Sequence, residues 1–241
     1  MNIRTVIVED SRLARNELKE LLKGFEDMEL VGEAENVEEG YRLIQRENPD
    51  LLLLDINMPE KDGFELLEML DEIPFTIFTT AYDAYAIKSF EYNTLDYLLK
   101  PVSGKRFAKA VEKVRAQMDS GPQPRDKGKQ LMGSSQIFIK DGESCWLVKI
   151  GDIQLLEIVG NYTRVHFDGF KPLLYKSLNQ LEEKLPQDLF FRANRQQMIN
   201  ITAIDQVVPW FNGKLKLILK NGEAVEVSRR QSYIFKERLS L

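Results

Sequence analysis

The chain has 241 residues, enough for one large domain or two ordinary ones. Hydrophobic residues make up 43% and charged residues 29%, and no run approaches the roughly 20 apolar residues that a membrane span needs. A single cysteine, Cys145, excludes an internal disulfide and a cysteine-based zinc site, and a single histidine, His166, argues against histidine metal centres and Ser-His catalysis.

The net charge of −5 is unevenly spread. Residues 1–118 carry 15 Lys+Arg against 24 Asp+Glu, net −9, whereas residues 119–241 carry 18 against 14, net +4. An acidic half joined to a basic half predicts two domains with different partners, and the basic half is a candidate for nucleic acid. Met1-Asn2-Ile3-Arg4 leads straight into a strand, so no secretory leader is expected and the cytoplasm is the expected location.

Arg4 to Val8 reads as a first strand, ending on Glu9-Asp10. Ser11 can cap the next helix, to which Leu13, Leu18, Leu21 and Leu22 give an apolar face. Met28 to Glu33 is a second strand, and Val37 to Glu47 a helix that closes before Pro49. Four leucines, 51 to 54, then run into Asp55, as a strand buried on both faces of a parallel sheet does. Asn57-Met58-Pro59 and the turn-like Lys61-Asp62-Gly63 follow, then a helix near Phe64 to Leu70. Phe75 to Thr80 is a fourth strand, Ala84 to Tyr92 a helix, Leu95 to Leu99 a fifth strand and Gly104 to Met118 a last helix. Five βα units with right-handed crossovers give an α/β doubly wound five-stranded parallel sheet.

Glu9, Asp10, Asp55, Thr80 and Lys100 all fall at carboxyl ends of strands, where open α/β sheets place their ligand sites. Clustered carboxylates repel one another and need a cation. All-oxygen ligation selects a hard ion, and Mg²⁺ suits Asp10 and Asp55 directly, Glu9 through water and a carbonyl such as that of Asn57. A lysine and a hydroxyl beside it suit a transferring phosphoryl group.

Glu9-Asp10, Asp55-Ile56-Asn57-Met58-Pro59, Asp62-Gly63, Thr80-Ala81 and Lys100-Pro101 resemble the receiver domain of bacterial two-component response regulators, a flavodoxin-like fold. The resemblance covers residues 1–118. It implies that Asp55 accepts a phosphoryl group from a sensor histidine kinase, that Thr80 and Lys100 engage it, and that Tyr97 is the aromatic switch residue. It also implies a Lys100-Pro101 bond that is often cis. An aspartyl-phosphate phosphatase would need a second acid two residues after the nucleophile, and Asn57 stands there.

Asp119 to Ser135 is rich in Gly, Pro, Ser and charge and reads as a linker. Beyond it the pattern becomes short strands at close spacing. Gln136 to Ile139 and Cys145 to Lys149 flank a turn, and Asp152 to Val159 and Tyr162 to Phe167 flank Gly160-Asn161. Pro172 to Tyr175 follows, then one helix capped by Ser177 that ends before Pro186. Phe190 to Arg192, Met198 to Ile201, Ile204 to Val208, Lys214 to Leu219 and Ala224 to Val227 are further strands, with Asn212-Gly213 a hairpin signal. Ser228 caps a final helix to about Leu239.

Asp152-Ile153 through Glu157, Gly160-Asn161-Tyr162, the 176–182 segment, the 190–200 segment and Val227-Ser228-Arg229-Arg230 resemble a LytTR DNA-binding domain, mainly β, over residues 136–241. The resemblance implies that loops, not a recognition helix, read double-stranded promoter DNA. The matching positions are Asn161, Thr163, Arg164, Asn194, Arg195, Arg229 and Arg230, with Asn194 where the family usually has histidine. The whole reads as a phosphorylation-dependent transcriptional regulator and not an enzyme, homodimeric once phosphorylated, with no membrane partner. An output domain that binds a protein or membrane partner instead is the alternative.

Overall fold

The computed structural model describes residues 2–81, 96–119, 131–142 and 144–239. They belong to two units. One comprises Met1–Asp126 with Gln136–Phe138 and Glu143–Leu147, the other Lys127–Ser135, Ile139–Gly142 and Val148–Leu241.

The first unit is built on five parallel strands: β1 (Ile3–Val8), β2 (Met28–Ala34), β3 (Leu51–Asp55), β4 (Phe75–Thr80) and β5 (Asp96–Leu99). Their spatial order is β2-β1-β3-β4-β5, the flavodoxin-like order. Every residue of β3 is buried, because successive side chains of a strand point to opposite faces and both faces are covered. Leu52 and Leu54 pack with α2 (Val37–Glu47) and α3 (Gly63–Met69), in a cluster that includes Leu43, Ile44, Leu66 and Leu67. Leu51 and Leu53 pack the other way, with Leu18 and Leu22 of α1 (Arg12–Leu22) and Phe107, Val111 and Val114 of α4 (Gly104–Asp119). The order β2-β1-β3 reverses direction beside β1, so the carboxyl ends of β1 and β3 flank the switch point of the sheet.

The helix starts follow capping chemistry. Ser11 accepts from the Ala14 N–H, Asn36 accepts from the Glu39 N–H, and Asp62 forms a reciprocal capping box with Glu65. One expected contact differs. Leu13 does not join the apolar face of α1 but is 79% exposed, while Arg15 turns inward. The helix expected over Ala84–Tyr92 lies outside the described residues.

A hairpin of β6 (Gln136–Asp141) and β7 (Ser144–Lys149) follows. Phe138, Cys145 and Leu147 from it are buried in the first unit's cluster, where the Phe138 ring stacks on Phe64 at 6.0 Å.

The second unit holds an antiparallel five-stranded sheet of β8 (Leu155–Val159), β9 (Tyr162–His166), β10 (Leu173–Leu174), β11 (Phe190–Arg192) and β12 (Gln197–Asn200), in the order β10-β9-β8-β12-β11. A three-stranded sheet of β13 (Ile204–Pro209), β14 (Leu215–Leu219) and β15 (Ala224–Val227) accompanies it. The helices are α5 (Leu178–Lys184) and α6 (Arg229–Leu239). Phe235 of α6 is fully buried with Leu217, Val225 and Ile199, its ring edge-on to Phe191 at 5.0 Å. The β13–β14 turn uses the left-handed conformation at Asn212 and Gly213, as Asn-Gly hairpins do. Leu131 and Gly133, read from sequence as linker, are tied to this unit: the Leu131 N–H donates to the Lys184 carbonyl at 2.8 Å, and the Gly133 carbonyl accepts from Gly151 at 2.8 Å. Among the described residues no helix is long and apolar enough to cross a membrane.

Candidate functional site

Three strand ends and one loop build the rim of the first sheet. β1 delivers Glu9 and Asp10, β3 delivers Asp55, β4 delivers Thr79 and Thr80, and Lys100 follows β5 directly. Backbone bonds lock these ends together. The Ile56 N–H donates to Thr79 O at 3.2 Å, and the Lys100 N–H to Thr80 O at 2.8 Å. The Lys100-Pro101 peptide is cis.

Lys100 is the centre of charge. Its Nζ lies 2.7 Å from Glu9 Oε2, 2.9 Å from Glu9 Oε1 and 2.9 Å from Asp55 Oδ2. Both carboxylates are buried. Burial lifts the Glu9 carboxyl above its ordinary value, and the nearby Asp55 charge adds to that, while the Lys100 hydrogen bond opposes it. Burial works against the Lys100 ammonium too, yet its bonds to Glu9 and Asp55 outweigh it and hold its pKa above the usual lysine value. A single ammonium thus compensates two carboxylates whose burial alone would be costly.

The remaining contacts position the pair. The second Asp55 oxygen accepts the Asn57 N–H at 3.2 Å. The Asn57 amide donates to Thr80 Oγ1 at 3.3 Å, and Thr79 Oγ1 donates to Glu9 Oε2 at 3.4 Å. Gly63 permits the loop after β3 to fold back: a Cβ there would lie 2.3 Å from the Asp55 carbonyl oxygen. Its N–H closes the turn on Ile56 O at 2.9 Å. Tyr97 is half-buried, with the Arg106 guanidinium 5.8 Å from its ring centroid. Arg106 also donates to Tyr97 O at 3.0 Å and pairs with Asp96. Burial of Asp96 is outweighed by its bonds to Arg106 and Lys113, which hold that carboxyl below its ordinary value.

Glu9, Asp10 and Asp55 each offer an oxygen, and the three lie within 4.8 Å of one another. An all-carboxylate set of that size fits a hard divalent cation better than a soft one. One residue of this rim escaped the sequence reading. Arg15 is buried, and its guanidinium donates to Glu9 O at 2.6 Å and Asp10 O at 3.0 Å, fixing the backbone of both acids. Its i, i+3, i+7 spacing with Leu18 and Leu22 was the available signal, but a charged residue mid-helix reads as solvated.

The residues expected to meet DNA sit in the second unit and differ among themselves. Asn161, Arg195, Arg229 and Arg230 are exposed, and Arg164 is half-buried. Thr163 is not at a surface. It is fully buried and donates its hydroxyl to Lys176 O at 2.7 Å, so it ties β9 to the segment before α5 and cannot reach a duplex. Asn194 is a clamp rather than a reader. Its Oδ1 accepts the N–H groups of Gln196 and Gln197 at 2.8 and 2.9 Å, and its Nδ2 donates to Gln197 Oε1 at 3.0 Å and Glu226 O at 2.8 Å. Every hydrogen-bonding position of that amide is engaged within the protein. Arg192 completes the clamp, donating to Asn194 O at 2.8 Å and Arg195 O at 2.6 Å. Beside this set lies an exposed aromatic pair that the sequence reading did not single out as a pair, Tyr162 and Tyr175, with ring centroids 5.3 Å apart. His166 is buried, and neither ring nitrogen has a hydrogen-bond partner.

Residues 5–112 match the family described as response regulator receiver domain, and residues 143–240 the family described as LytTr DNA-binding domain. Sensory transduction protein LytT of Enterococcus faecalis is 35% identical over 99% of this chain and 100% of its own. Transcriptional regulatory protein BtsR of Salmonella typhi is also 35% identical, over the same shares. Among solved structures, the LytTr DNA-binding domain of a putative methyl-accepting/DNA response regulator from Bacillus cereus is 27% identical, with a TM-score of 0.43. It covers 45% of this chain and 100% of that one.

Proposed function

The chain belongs to the response regulators that join a receiver domain to a LytTr DNA-binding domain, and from that premise we propose that phosphorylation of Asp55 controls its binding to promoter DNA. Its relatives are transcriptional response regulators, not enzymes. The observation that carries the proposal is the rim itself: a buried Asp55 held by Lys100 and flanked by Glu9, Asp10 and Thr80.

In this reading an Asp55 carboxylate oxygen attacks the phosphorus of a phosphohistidine on a sensor kinase. The P–O bond forms as the P–N bond breaks, and the imidazole leaves with the electron pair and takes up a proton. Glu9, Asp10 and Asp55, with the Asn57 carbonyl, would hold Mg²⁺, which supplies positive charge to the equatorial phosphoryl oxygens. Lys100 supplies a second positive charge, moving from a carboxylate partner to a phosphoryl oxygen. Thr80 donates its hydroxyl to the same group, releasing Asn57. Tyr97 follows Thr80 inward, leaving its contact with the Arg106 guanidinium. The modified receiver pairs with a second copy, placing two DNA-binding domains on two half-sites in the cytoplasm. We further propose Asn161, Arg164, Arg195, Arg229 and Arg230 as the DNA-facing set, with domains at residues 1–118 and 136–241. The basic balance of residues 119–241 supports this.

Acetyl phosphate with Mg²⁺ tests the chemistry. The wild-type chain gains one phosphoryl group by mass spectrometry and Asp55→Asn gains none, because an amide is a far poorer nucleophile. Stable labelling of Asp55→Asn would place the acceptor elsewhere.

A further inference from the structure

Two of the proposed DNA-facing arginines, Arg164 and Arg195, lie in different segments, yet one carboxylate stands between them. Glu157 is in β8, directly opposite Arg164 of β9 on one side and Gln197 of β12 on the other. Its Oε2 is 3.5 Å from Arg164 Nη1, and its Oε1 accepts from Gln197 Nε2 at 3.3 Å. The Gln197 side chain continues the chain: its Oε1 accepts from Asn194, whose own Oδ1 shapes the turn over residues 194–197. Arg195 and Gln196 are the exposed residues of that turn, and Arg195 carries its charge. His166 Nε2 lies 3.6 Å from the same Glu157 Oε2, just beyond a hydrogen bond, and competes for it only when the ring is protonated.

We propose that Glu157 is a positioning residue for DNA recognition, aligning Arg164 directly and Arg195 through Gln197 and Asn194. An acid beside a DNA-facing surface is otherwise unfavourable, since it repels phosphate. Glu157 can offset that repulsion through the geometry it imposes on Arg164 and Gln197. Arginine meets a guanine edge only when its planar fork is held in one orientation, and a flexible loop arginine loses that advantage to phosphate contacts. Cross-strand pairs hold their members at fixed separation, so a residue in the middle strand can set both neighbours at once. This rests on the proposal above that Arg195 faces DNA, and takes its contact to be with a base edge.

The test uses the full chain and a pool of randomised double-stranded DNA, with the preference at each base position read by sequencing what is retained. An unrelated duplex measures non-specific affinity. Arg195→Ala relaxes the preference at a defined position by roughly tenfold. Glu157→Ala relaxes the same position, the double variant relaxes it no further, and the unrelated duplex is held as tightly as before or more tightly. A merely structural glutamate would weaken binding to both DNAs alike. Glu157→Gln keeps an oxygen for Gln197 and restores the preference at the Arg195 position. If Glu157→Ala does not fold, Gln197→Ala cuts the same chain from its other end and gives the same relaxation. An unchanged profile in Glu157→Ala or Gln197→Ala beside a relaxed one in Arg195→Ala overturns the positioning role alone. An unchanged profile in Arg195→Ala overturns both this role and the base contact.

Discussion

The rim of the first unit and the loops of the second are both polar sites, but they are held in opposite ways. At the rim, the Glu9 and Asp55 charges are buried and backbone bonds between parallel strands fix the site, as with Lys100 N–H on Thr80 O. In the loops, charges are exposed and side chains such as Asn194 and Arg192 hold them. A buried site therefore couples function to the stability of the whole sheet, whereas a loop site can change with little cost to the fold.

The sharpest way to break that comparison is to remove the compensating charge at the rim. Lys100→Ala leaves Glu9 and Asp55 buried without a cation, and the first unit should lose on the order of 3 kcal/mol of stability without Mg²⁺. Urea unfolding measures this, and added Mg²⁺ should recover part of it. A loss as small as an exposed arginine's, within about 0.5 kcal/mol, would show that the carboxylates neutralise instead.

Glycines sharpen the contrast at smaller size. Gly63→Ala drives a Cβ into the Asp55 carbonyl, so the backbone must move at a cost of about 2 kcal/mol and phosphorylation should slow with it. Gly160→Ala meets nothing within 4 Å and has only its positive φ of 61° to accommodate, about 1 kcal/mol. Thermal unfolding of the two variants ranks them, and a reversed order would mean the rim backbone yields easily.

The smallest effect is a pH dependence in the second unit. Burial first, then the Lys171 charge, hold the His166 imidazole below its ordinary 6.5, against the pull of Glu157 and Glu223. The fold prefers the neutral ring, while the unfolded chain takes up a proton near pH 6.5. That stability is intact above about pH 6.5 and falls as the pH drops below it, until the folded ring itself protonates. The stability difference between wild type and His166→Gln should shift in that direction between pH 7.5 and 5.5. A pH-independent difference would show an unperturbed ring.

The rim was legible in the sequence because parallel strands make it so. A four-leucine strand announces its own burial, and the acid that ends it must lie at the carboxyl edge. Asp55, Glu9 and Lys100 are grouped by their places at strand ends alone. Arg15 was not legible, since its burial depends on the carbonyls of Glu9 and Asp10 turning toward it. Leu13 misled for a different reason: the buried stripe of α1 runs through Arg15, Leu18 and Leu22, and Leu13, five residues before Leu18, falls off it. In the second unit, strand positions were readable from alternation and from Asn212-Gly213. Side-chain roles were not. Thr163 and Asn194 sit among the residues proposed to face DNA, yet one is buried and the other is fully engaged in its own loop. Periodicity identifies which face a residue takes, but not which partner its amide finds.

The pairing registers described above also set a timetable. Val159 faces Tyr162 across a tight turn, and Ile218 faces Ala224 across a short one. Such pairs close little chain, so they can form early. In the first unit Thr5 waits for Leu51, and Leu51 waits for Phe75. The β4–β5 pairing that sets Lys100 beside Asp55 closes last along the chain. During synthesis the acids of the rim are made long before the lysine that neutralises them. Until then Glu9 and Asp55 have no ammonium to offset the cost of burying them.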